Sequence, residues 1–199
     1  MRKLAKALAV SVAAGMLAAS PLFATILKQM NLDELGVNAN AIFTGTVIAV
    51  DKGSMNLGGG TIPTVSYRVV VDTSFRGTFM QKDGQEIADI RMVYGPGPTQ
   101  VGDAVRFSIL PKMPDIQLGQ RYLFFQTRPS TAGLSTTVGL GQGLFRVTGD
   151  PGEELAVNEY DNLGLYRGMN LTDSSKTGPI DYSSLVERIQ ALPIRQIRR

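Results

Sequence analysis

The feature that most limits what this chain can fold into is a series of short, apolar, β-branched segments cut apart by glycine and proline. Residues 41–51 (AIFTGTVIAVD) are apolar almost throughout, with Gly45 allowing a bend or a close approach. In residues 64–73 (TVSYRVVVDT), Val65, Tyr67, Val69 and Val71 alternate, which places them on one face of a strand. A third strand is expected over 86–94 (EIADIRMVY), and a fourth over 104–110 with Val105, Phe107 and Ile109 on one face. Residues 121–126 (RYLFFQ) read as the central strand. Another is expected over 137–147, its first half thinned by Gly139, Gly141 and Gly143, and a short one over 155–160. Between them lie a flexible, hairpin-like loop at 52–60 (KGSMNLGGG) and turns at 95–98 and 150–153. The 22 glycines and 10 prolines follow no fixed period. Many short strands bounded by turns predict a sandwich or a barrel.

Helical signals are confined to the ends. Asn31 can cap a short helix, with Glu34 three residues on as in a capping box. Asp181 caps a second helix over 182–192, whose Leu185, Ile189 and Leu192 share one face and should pack on the sheet. The predicted fold is mainly β: a small, closed or partly open antiparallel barrel, OB-like, with a short N-terminal helix and a C-terminal helix. The barrel domain is expected over 25–171. Residues 172–199 form a polar linker, the terminal helix and a basic tail of Arg195, Arg198 and Arg199.

Residues 1–24 read as a secretory signal peptide. Arg2, Lys3 and Lys6 open it, an alanine-rich apolar run fills residues 8–19, and Ser20 to Ala24 break the helix. The run falls short of the roughly 20 apolar residues that span a bilayer. A retained anchor is the alternative. Cleavage is expected between Ala24 and Thr25, which leaves an exported chain, periplasmic or extracellular, without a membrane span. A processed chain of 175 residues can bury a sufficient core without disulfides.

The pI of 9.3 misrepresents that chain. Of 20 basic residues, three lie in the leader, whereas all 17 acidic residues follow it, so 17 of each sign remain and the formal net charge is zero. Nucleic-acid binding needs a standing excess of Lys and Arg to displace counterions from phosphates, so that class is excluded.

Histidine and cysteine are both absent. This sets aside the usual zinc sites, Ser-His-Asp triads, Cys-His pairs and customary haem ligation. No metal site and no cofactor is expected. The runs at 58–60 and 139–143 lack the Gly-Lys-Ser/Thr of a P-loop and the βαβ setting of a dinucleotide fingerprint. Carboxylate chemistry stays open. Asp83, Glu86 and Asp89 are candidates by proximity, although surface charge is the plainer reading, and Glu153 and Glu154 after a turn read as solvated. Asp150, Glu153 and Asp161 could offer oxygen ligands to Ca²⁺, but without EF-hand spacing. Ser174, Ser175 and Lys176 read as linker rather than as a Ser-Lys dyad. Tyr122, Phe124 and Phe125 read as core before they read as a stacking platform.

Several segments occur in a recognisable order. Leu32-Asp33-Glu34-Leu35 precedes the segment 41–47 (AIFTGTV), followed by 67–71 (YRVVV) and Phe75-Arg76-Gly77. Segments 118–125 (LGQRYLFF) and 141–147 (GQGLFRV) complete the order. Over residues 31–148 the chain resembles a group of exported bacterial proteins of unknown function whose motifs are similar to those of the netrin-like, TIMP-like OB barrel. The TIMP family inhibits metalloproteinases through a zinc-chelating N-terminal cysteine. This chain has no cysteine, so the resemblance implies a fold and not that mechanism. The expected function is a non-catalytic exported binding or interaction module for an unknown protein or envelope ligand. The alternatives are a carboxylate-based hydrolase of an envelope or extracellular glycan, and a structural component that self-associates through a strand edge.

Overall fold

The computed structural model describes residues 28–57, 60–94, 99–101, 104–106, 113–169 and 177–193. The expected cut between Ala24 and Thr25, the 95–98 turn, residues 107–110 of the expected fourth strand, Ser174, Ser175, Lys176 and the three tail arginines lie outside them. In chain order the elements are helix α1 (Leu32–Asn38) and strands β1 (Ala41–Leu57), β2 (Gly60–Arg76), β3 (Met80–Lys82), β4 (Gln85–Val93), β5 (Thr99–Val101) and β6 (Ala104–Arg106). After these come β7 (Arg121–Gln126), β8 (Leu144–Thr148), β9 (Leu155–Asn158), β10 (Ile180–Asp181) and helix α2 (Tyr182–Gln190). Eight strands form one antiparallel sheet in the order β10-β9-β8-β7-β1-β2-β4-β3, and β5 and β6 pair separately. The sheet does not close, so the mainly β expectation holds in its partly open form, with a helix near each end.

Strand β7 explains why both faces of this sheet are covered. Its apolar residues are consecutive, so alternation sends Tyr122 and Phe124 to one face and Leu123 and Phe125 to the other. All four are buried. On the first face they join Phe43, Val47, Val65, Tyr67, Val69, Ile90 and Met92. On the second they join Ile42, Phe145 and Val147, capped by Leu32 and Leu35 of α1 and by Leu185 and Ile189 of α2. Burying a side chain of this size contributes about 2–3 kcal/mol. The terminal helix therefore completes a core, as its apolar spacing predicted.

Three expectations need correction. Residues 52–57 and Gly60 are strand rather than loop, and Gly58 and Gly59 lie outside the described residues. β1 and β2 pair without a break from Lys52↔Val65 to Leu57↔Gly60, because backbone ladder bonds form whether or not side chains alternate. The 137–147 strand begins only at Leu144. Gly139 and Leu140 have φ of 60° and 58°, which no strand accepts, and Leu140–Gly143 is a 3₁₀ turn. Strands β3, β5 and β10, of two or three residues each, were not predicted. Gly45 does make the expected close approach. A Cβ there would lie 2.4 Å from the Val70 carbonyl oxygen, beside a register shift between Thr44 and Gly45.

Residues 158–169 form a ribbon of overlapping turns. The N–H groups of Asp161, Leu163, Leu165, Arg167 and Met169 each bond the carbonyl three residues back, at 3.0–3.1 Å. The intervening carbonyls bond outward. Gly178 N–H donates to Asp161 (2.8 Å), Gln29 Nε2 to Leu163 (2.9 Å), Leu32 N–H to Leu165 (2.8 Å) and Asn31 Nδ2 to Arg167 (2.9 Å). The start of the described chain is thereby stitched along a segment near its other end.

Both helix caps carry a carboxylate. Asn31 Oδ1 accepts the Glu34 N–H (2.9 Å), Glu34 Oε2 accepts the Asn31 N–H (3.0 Å), and Asp181 Oδ1 accepts the Ser184 N–H (2.7 Å). The Lys28 hydrogen bond, then the Asn31 N–H, hold the Glu34 carboxyl below its ordinary 4.5. The Ser183 hydroxyl, then the Ser184 N–H, hold Asp181 below 3.8. A carboxyl with a depressed folded pKa adds stability that is complete above its unfolded value and is lost as pH falls through the folded one. Urea midpoints are therefore expected to decline as pH drops below 4.5 and on past 3.8, with a shallower slope in Glu34→Gln/Asp181→Asn. An identical slope in that double variant would refute the assignment. At the alkaline end, burial is the main cause raising the Tyr67, Tyr166 and Tyr182 phenols above 10.0. Their stabilisation is complete below 10.0 and disappears as pH rises through the folded values.

Candidate functional site

Strands β7, β8 and β9 lie side by side, and their register sets Tyr122 opposite Arg146 and Arg146 opposite Val157. Directly paired residues share a face, so these three form a row on the face away from the helices. The segment after Met113 crosses in front of that row. Its Ile116 is buried in the core, the Asp115 N–H donates to Glu159 Oε1 (2.8 Å), and the Gln117 N–H donates to the Tyr122 hydroxyl (3.1 Å). A cavity of about 310 Å³ remains between the crossing segment and the sheet.

Tyr122, Leu144 and Val157 give this cavity an apolar floor, with Asp115, Arg146 and Glu159 around it. Asn158 also lines it, but its side chain is committed. Oδ1 accepts from the N–H groups of Tyr160 (3.0 Å) and Asn162 (2.9 Å), and Nδ2 donates to the Gln142 carbonyl (3.0 Å). Glu159 lies over Gly141, where a Cβ would stand 2.5 Å from Oε2, so no larger residue fits beneath it without displacing the carboxylate. Asp115 Oδ2 accepts Gln117 Nε2 (3.0 Å). Arg146 is exposed and, among the described residues, makes no hydrogen bond or ion pair. Two carboxylates and an unpaired guanidinium thus share one concave surface without neutralising each other.

The candidates drawn from the sequence lie elsewhere. Asp83 is in the β3–β4 turn with φ of 53°, Glu86 accepts from Gln81 (3.1 Å) and Asp89 pairs with Arg68 (3.2 Å) on the exposed surface. Glu86 and Asp89 are three apart on one strand and therefore point to opposite faces. Asp150 and Glu153 close a turn through the Glu153 N–H (2.9 Å). Asp161 accepts the Gly178 N–H through its carbonyl. Among the described residues no group of three or more Asp or Glu is placed to hold a metal ion. Glu154 corrects the solvated reading. It is half-buried and ion-paired to Arg121, which also bonds Asp72 (3.1 Å) and stands 5.2 Å from the centroid of the Tyr182 ring. The Tyr182 hydroxyl in turn bonds Thr44 Oγ1 at 2.6 Å. That cluster fastens α2 to the sheet and commits Nε and Nη1 of the guanidinium. Tyr122, Phe124 and Phe125 are core, as expected.

Sequence reading missed Asp115, Arg146 and Glu159. The one local clue was the glycine spacing at 141, which makes room for a neighbour that cannot be named from sequence alone. Among the described residues no helix is long and apolar enough to cross a membrane. Comparison with protein-family models, with curated proteins and with solved structures found no match to this chain.

Proposed function

We propose that the processed chain is an exported, non-catalytic binding or interaction module whose ligand enters the cavity between Asp115, Arg146 and Glu159. The observation that carries this reading is a concave site with an apolar floor and charges of both signs, the usual composition of a ligand pocket. Its supports are a signal-peptide-like leader, a balanced charge that disfavours nucleic acid, and a chain without imidazole or thiol. The likeness to a TIMP-like barrel over 31–148 belongs to the same proposal.

Asp115 and Glu159 give specific support to the second reading, a glycan hydrolase, because both reach one cavity. Their exposure argues against it. A general acid working near neutral pH is normally withdrawn from water, and both residues are open to solvent. Asp115 and Glu159 are also tied to each other through the Asp115 N–H, a use that positions the crossing segment.

Immobilised chain lacking residues 1–24, incubated with envelope and culture-fluid extracts, should retain a reproducible ligand that Arg146→Glu releases, with no reducing ends generated from envelope glycan. Failure to retain any ligand would overturn the binding reading. Reducing ends that vanish in Glu159→Gln would replace it with the hydrolase.

A further inference from the structure

We infer that this cavity takes a small zwitterion, an α-amino acid or the end of a short peptide with a free ammonium and a free carboxylate. The inference rests on the binding-module reading and names its ligand class.

Charges of both signs face this one space without pairing. Arg146 projects from the Tyr122–Arg146–Val157 row, and Asp115 and Glu159 lie on the same cavity. No ion pair joins them among the described residues. Each retains free capacity. Glu159 Oε1 accepts the Asp115 N–H and Asp115 Oδ2 accepts Gln117, so among the described residues Oε2 of Glu159 and Oδ1 of Asp115 accept no hydrogen bond. Arg146 offers a planar fork suited to a carboxylate. Separated opposite charges are complementary to a ligand that carries opposite charges apart. A purely cationic ligand would meet Arg146, and a purely anionic one would meet the two carboxylates.

The floor selects further. Val157, only partly buried, presents aliphatic surface to a ligand side chain. Tyr122 is 2% exposed and its hydroxyl is already held by the crossing segment, so it offers no open ring face for a sugar to stack on. The Asn158 amide, a usual partner of sugar hydroxyls, is consumed internally. A volume near 310 Å³ is enough for an amino acid or a dipeptide.

Titration calorimetry of the processed chain with leucine, N-acetyl-leucine and leucinamide tests this directly. Leucine should bind, and each blocked analogue should bind about tenfold more weakly or worse, the loss expected for one charge-assisted hydrogen bond. Arg146→Gln should erase the preference for leucine over leucinamide, and Glu159→Gln the preference for leucine over the acetylated form. Equal binding of all three ligands, or preferences that survive both substitutions, would overturn the inference. If no amino acid or dipeptide binds at millimolar concentration while an extract still yields a ligand that Arg146→Glu releases, the zwitterion fails and the binding module stands. If neither binds, both fall.

Discussion

Phe124→Ala is expected to lower unfolding free energy by about 3–5 kcal/mol, the range for removing a fully buried aromatic ring and leaving its cavity. Phe124 has no exposed surface and sits in the middle of β7, with β1 on one side and β8 on the other. Its ring stacks on Phe43 at 4.9 Å with 16° between planes, and Phe43 meets Phe79 edge-on at 4.8 Å. One truncation thus removes the end ring of a three-ring column and with it the stacked contact on Phe43. Phe124→Leu, which keeps most of the volume, should cost well under half as much. Equilibrium denaturation in urea reads both values. A loss below about 1 kcal/mol for the alanine variant would show that this face is not packed as described.

The second large effect comes from adding an atom. Gly45→Ala is expected to destabilise by about 3 kcal/mol, at the upper end for overpacking. The new Cβ would lie 2.4 Å from the Val70 carbonyl oxygen and 2.7 Å from Val69 Cγ1, and the first of these is backbone that cannot rotate away. Gly53→Ala on the same strand is the control. Among the described residues the only atom within 4 Å of its added Cβ is Thr64 Oγ1, at 3.9 Å, so that variant should be neutral or slightly more stable. Equal effects at the two positions would remove the close approach as the cause.

These two positions mark what could be read in advance. The consecutive apolar run of β7 and the alternation of β2 are local signals, and burial follows from them by periodicity. The Asn31–Glu34 and Asp181 caps were legible for the same reason, since a cap is set by residues three apart. What escaped depends on partners far along the chain. Residues 52–57 carry no alternating apolar pattern, and their strand exists because β2 is there to complete the ladder. Leu140 adopts a left-handed backbone that leucine does not favour, so its residue type points away from the turn it makes. The cavity is the most distant case: Asp115 and Glu159 meet across 44 residues, and neither stands in a motif.

The ribbon at 158–169 bears on the order in which the molecule can assemble. Gln29 and Asn31 find their acceptors 134 and 136 residues away, and Leu32 bonds Leu165 across a similar span. Contacts at such separations close large loops and come late. During synthesis from the N-terminus, α1 therefore lacks these three bonds until the ribbon has emerged, although its core partners Ile42, Leu123, Phe125 and Phe145 come earlier. The seam between residues 29–32 and the ribbon is thus closed last, and a nascent chain stopped short of the ribbon would leave those three bonds unmade.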